Sequence, residues 1–112
     1  MTEIDLRNLS KLEKEYQAAV KEHPTIHNQF LLGKIYQKQH RYQLAEKMYK
    51  QVLSQERLPE CLLRYGEMSF DRKQYDKALP LLLEVSQTTD ETWQFTELVD
   101  QLIETIYAYD TC

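Results

Sequence analysis

Glycine is nearly missing from this chain: its 112 residues include two, together with three prolines. So small a supply of turn chemistry argues against strands linked by tight turns and suits helices joined by short corners. No uninterrupted apolar run approaches the ~20 residues of a membrane span, so no membrane insertion is expected. Met1 to Leu12 is too charged for the apolar segment of a signal peptide, which points to the cytoplasm, with the nucleus as the alternative. A basic excess is also lacking. The formal net charge of −4 argues against a nucleic-acid partner. The two cysteines, Cys61 and Cys112, form no CxxC motif, and each reads as an inert free thiol. Cys112 could bridge to another molecule on oxidation.

Catalytic signatures are equally scarce. The glycines are single, so no phosphate-cradling loop exists, and no serine sits in a nucleophile elbow. His23 and His27 have the four-residue spacing of helical metal ligands, but Pro24 breaks the chain between them. The carboxylates lie among lysines at helical spacing and read as solvated faces. No catalytic residue, metal site or cofactor is expected.

What the chain does hold is 42 % hydrophobic and 29 % charged residues, a balance suited to one folded domain. It also holds a repeat. An offset of 33 residues places Gly33 on Gly66, Tyr42 on Tyr75, Ala45 on Ala78 and Val52 on Val85. Within the first unit, Gly33 and Ala45 mirror each other about Gln39, as do Tyr36 and Tyr42. In the second, Gly66 and Ala78 mirror about Arg72. Two antiparallel helices would bring such small residues together and let the backbones approach.

The segment Leu32-Gly33-x-x-Tyr36 followed by Ala45-x-x-x-Tyr49 resembles the tetratricopeptide repeat signature. Tyr65-Gly66 with Ala78-x-x-x-Leu82 is a looser match, with Ser69 where the family favours tyrosine. Gln29 and Leu62 replace the signature tryptophan, and the period is one residue short of the usual ~34. Shifted outward, the pattern puts the second helix of a preceding unit around Leu12, Tyr16, Ala19 and Val20. It puts a further first helix over Trp93 to Tyr109, with Val99 at the glycine position. The resemblance implies an all-α fold, a right-handed superhelix of antiparallel helical hairpins. Its parts are a half repeat over 1–25, repeats over 26–58 and 59–91, and a terminal helix over 92–112.

The periodicity predicts six helices: Asp5 to Glu22, Ile26 to Gln39, Tyr42 to Gln55, Pro59 to Arg72, Tyr75 to Ser86, and a last one from just after Thr88-Thr89-Asp90 to Tyr109. Pro80 is awkward near the fifth helix's first turn, and implies a later start or a kink.

The resemblance further implies binding on a concave face lined by the first helix of each unit. That groove would collect Phe30, Lys34, Lys38, Leu63, Glu67, Phe70 and Trp93. One family role does not fit: residues gripping an acidic chaperone tail would fall at Phe30, Lys34, Arg64, Trp93 and Glu97, and none agrees. The last helix is apolar over more than half its circumference. Phe95, Val99, Ile103, Ile106 and Tyr107 therefore form a candidate face for a partner or a second copy. The expected function is a non-catalytic adaptor or scaffold that binds a partner peptide or subunit. A terminal part of a longer repeat scaffold is the alternative, and a small enzyme the remote one.

Overall fold

A computed structural model describes Leu6 to Asp110, with side chains from Asn8 to Tyr109. It is all-helical among these residues. The helices are α1 (Leu6–Glu22), α2 (Ile26–Lys38), α3 (Tyr42–Gln55), α4 (Pro59–Asp71), α5 (Tyr75–Thr88) and α6 (Thr96–Asp110). They group into two compact units, Met1–Arg57 and Leu58–Cys112. In the first, α2 packs on α1 and on α3; in the second, α5 packs on α4 and on α6, with a smaller α4–α6 contact.

The 33-residue offset is reproduced bond by bond. At the first corner the N–H of His40 donates to the Gln37 carbonyl (3.0 Å) and that of Arg41 to the Tyr36 carbonyl (2.9 Å). At the second, Lys73 donates to Phe70 (2.9 Å) and Gln74 to Ser69 (2.9 Å). His40 and Lys73 both take left-handed backbone, with φ of 60° and 61°. Neither is glycine, so each corner carries a conformation that costs an L-residue roughly 1 kcal/mol or more. The bonds that close each corner satisfy carbonyls which the helix end would otherwise leave bare.

These corners correct the expected mirror centres. The three-residue corner extends past Gln39 to Arg41, so the centre of symmetry lies two residues later. Each glycine accordingly faces the residue four beyond the alanine assigned to it. A Cβ at Gly33 would lie 2.7 Å from Cε1 of Tyr49 and 3.2 Å from Cβ of Met48. A Cβ at Gly66 would lie 2.9 Å from Cδ2 of Leu82. Ala45 and Ala78 are fully buried, but they are not the glycines' nearest neighbours.

Helix starts have separate local causes. Thr25 caps α2 by accepting from the Asn28 N–H at 3.1 Å. Pro59 occupies the first turn of α4, where its missing N–H is no loss. Pro80 neither delays nor ends α5, which runs from Tyr75 through it to Thr88. It removes one helical bond on a solvent-facing side, since Pro80 and Asp76 are both exposed.

In the first unit, α1 is fastened by polar contacts as well as by Leu9. Glu13 accepts from Gln39 Nε2 (2.9 Å), Arg41 (2.8 Å) and Gln17 Nε2 (2.9 Å). Gln17 also donates to the Tyr36 hydroxyl at 3.0 Å, and the Arg41 guanidinium lies 5.0 Å from the Tyr36 ring centre. The carboxylate thus ties α1 to the α2–α3 corner. The hydrogen bond from Gln39, then the bond and charge of Arg41, hold its pKa below the usual 4.5 despite some burial. A depressed carboxylate pKa stabilises the fold above its unfolded value, and that contribution disappears as pH falls through the folded value. Glu13→Gln should therefore cost about 1 kcal/mol at neutral pH, limited by solvent screening of the half-exposed arginine. Urea titrations of parent and variant should converge as pH falls through the folded pKa of Glu13. A constant difference at all pH values would remove charge from the explanation.

Candidate functional site

The candidate groove residues of the first unit all come from α2. Phe30 is 6 % exposed and packs against Tyr49 of α3, with ring centres 6.1 Å apart. Its assignment as a binding residue is corrected: the hairpin buries it. The Tyr49 hydroxyl is spent on Gln37 Oε1 at 2.6 Å. Lys34 is half-buried, with its ammonium 5.1 Å from the Phe30 ring centre, and Lys38 is exposed. What remains for a ligand on this helix is cationic, not aromatic.

The second unit offers more. Leu63 is fully buried and is also corrected from binding residue to core. Glu67 is half-buried and accepts from Arg64 at 2.8 Å, one turn earlier on α4. The Arg64 guanidinium lies 5.0 Å from the ring centre of Phe95, which meets Trp93 edge-on at 5.3 Å and 78°. Arg64, Glu67, Phe95 and Trp93 therefore form one chain of contacts, and all four side chains are half-exposed. A planar cation over an aromatic edge pair can stack on, and hydrogen-bond to, an incoming chain.

Trp93 was expected on the last helix and is not there. It lies in a turn preceding α6, whose first residue is Thr96. The reason is Asp90, whose carboxylate accepts from the N–H (2.9 Å) and the hydroxyl of Thr92. Those bonds hold its pKa below the usual carboxylate range. Its carbonyl accepts from the Trp93 N–H (3.1 Å) and the Thr96 hydroxyl (3.0 Å). Asp90 thus closes a turn instead of leading directly into a helix, and the turn presents Trp93. Beside it lies an open hollow of about 560 Å³ lined by Pro59, Thr88, Thr89, Thr92 and Gln94.

Phe70 is separate from this patch in character. It packs edge-on against Tyr75 (5.4 Å, 61°), which stacks on Tyr109 of α6 at 5.2 Å and 12°. Burial, then Tyr109, raises the Tyr75 pKa above 10. These three rings join α4, α5 and α6.

The candidate face on α6 divides. Val99 and Ile106 are each 1 % exposed and belong to the interior, so both are corrected. Phe95 precedes the helix and meets Arg64. Ile103 is half-buried and Tyr107 is 48 % exposed, so both remain accessible to solvent. Seven residues apart, Val99 and Ile106 form the seam that packs α6 onto its unit.

Two long-range contacts stand behind these arrangements: Glu13 meets the α2–α3 corner at residues 26 and 28 positions away, and Arg64 meets an aromatic ring from another element. Neither contact has a signal in local spacing. No group of three or more His, Cys, Asp or Glu side chains that could hold a metal ion occurs among the described residues. No described helix is long and apolar enough to cross a membrane. Compared with known proteins, the chain matches no family model and no curated relative.

Proposed function

We propose that the protein is a non-catalytic interaction module of the tetratricopeptide type, working in the cytoplasm and binding a peptide or subunit of another protein. One observation carries this reading: the half-exposed Trp93, in contact with Phe95, beside Arg64 and an open hollow on the second unit. Tryptophan and arginine are the side chains that most often dominate binding energy at interfaces. The residue-by-residue repetition of the two hairpins supports the family reading, because it repeats one supersecondary unit at nearly the tetratricopeptide period.

The test is site-specific photo-crosslinking in cells, with the crosslinker at exposed Gln94 and a control at exposed Lys47 on α3. A discrete protein adduct from position 94 is expected, lost on Trp93→Ala while the thermal midpoint is retained. Equal labelling from both positions, or an adduct indifferent to Trp93, overturns the assignment.

A second reading has its own support. α1 ends at Glu22, in the same repeat phase as the ends of α3 at Gln55 and α5 at Thr88. The second-helix pattern thus recurs three times, which supports a repeat scaffold subunit of a multi-protein complex.

A further inference from the structure

Charge is distributed unevenly along the chain. Residues 1–57 carry ten Lys and Arg against seven Asp and Glu, whereas residues 58–112 carry four against eleven. From residue 78 onward there are seven acidic residues and no Lys or Arg. On α6 the acids Glu97, Asp100 and Glu104 are all exposed and fall on one side of the helix. That side adjoins Ile103 and Tyr107, the surface apolar pair identified above.

The repeat register says what kind of element fits this face. Ile103 stands 33 residues beyond Phe70 and 66 beyond Gln37. Both of those residues touch the second helix of their own hairpin, Gln37 through the Tyr49 hydroxyl at 2.6 Å and Phe70 through the Tyr75 ring at 5.4 Å. Val99, at the position of Gly33 and Gly66, is itself 1 % exposed and packed within the unit, so the accessible part of this face is Ile103 with Tyr107. The Ile103 side of α6 thus corresponds to the side on which α2 and α4 each carry an antiparallel helix.

We propose that this face of α6 receives a basic amphipathic helix of a partner protein. Its apolar ridge would cover Ile103 and Tyr107, and its Lys or Arg side chains would face Asp100, Glu104 and Glu97. The proposal rests on the interaction-module reading and names the chemistry of a partner. A second copy of α6 is a poor occupant, because it would bring like charges together.

The probe is a synthetic 18-residue helical peptide with a leucine ridge flanked by lysines, titrated against the full chain and followed by NMR. A matched peptide with glutamates for lysines is the control. The lysine peptide should shift the Ile103 methyl and Tyr107 ring signals, with affinity falling as salt rises, and the glutamate peptide should not. Asp100→Lys with Glu104→Lys should weaken binding about tenfold, two exposed ion pairs being turned into repulsions. Both residues are exposed, so the fold survives, and an unchanged thermal midpoint verifies it. Equal binding of the two peptides, shifts confined to other helices, indifference to the double substitution, or self-association of the chain without peptide each overturns the proposal. The crosslink from position 94 is read independently, so a failed titration beside a Trp93-dependent adduct removes this partner chemistry and leaves the interaction-module reading standing.

Discussion

Gly33→Leu is expected to abolish cooperative folding of the first unit. A single Cβ at this position already lies 2.7 Å and 2.9 Å from two ring carbons of Tyr49. That ring cannot step aside, because it is fully buried, packs on Phe30 and has its hydroxyl bonded to Gln37. Adding a whole isobutyl group forces α2 and α3 apart, at a cost of at least about 3 kcal/mol, a large part of a small unit's total stability. Alanine separates the packing effect from gross disruption. Gly33→Ala gains about 1 kcal/mol of helix propensity yet should still destabilise, by roughly 1–2 kcal/mol. Gly66→Ala should stay within about 1 kcal/mol of the parent. There the close atoms are Cδ2 and Cγ of Leu82 at 2.9 Å and 3.1 Å, which belong to an aliphatic side chain that is buried but, unlike Tyr49, has no hydroxyl anchored by a hydrogen bond.

A double substitution makes the argument stringent. Tyr49→Leu installs at the first hairpin the side chain that stands at the equivalent place, Leu82, in the second. In that background Gly33→Ala should lose most of its penalty, a coupling readable from denaturant midpoints. Additive effects would mean that the glycine is required for a reason other than Tyr49.

The hairpins were legible in the sequence because their determinants are local and repeated. The offset that aligns Gly33 with Gly66 also aligns the helix bounds, the corner bonds and the positive-φ residues. The crossing partner of each glycine was misplaced because counting about Gln39 ignores the left-handed residue at His40, which lengthens the corner. The start of α6 was misplaced because Asp90 can cap a helix or close a turn, and local sequence does not choose between them. Burial was harder still. Phe30 and Leu63 occupy places that helical phase alone offers to a ligand, and only packing against neighbouring side chains decides that they are interior. The Trp93 patch depends on that turn and on Arg64 from a different helix, so no stretch of sequence contains it.

The last helix gives the sharpest contrast between interior and surface. Ile106→Ala should destabilise the second unit by roughly 2–4 kcal/mol, the range for removing a buried aliphatic side chain that its neighbours only partly replace. Tyr107→Ala, one position further on and 48 % exposed, should change stability by less than about 0.5 kcal/mol. Hydrogen exchange would localise the first effect. α6 packs mainly on α5, with a small contact to α4, so its amides should lose protection before those of α4 and α5. The Tyr75–Tyr109 stack should loosen with it, since Tyr109 is carried by the same helix. If Ile106→Ala were silent in these measurements and Tyr107→Ala costly, the packed seam of α6 would be the opposite side of the helix, and the face left for a partner would move with it.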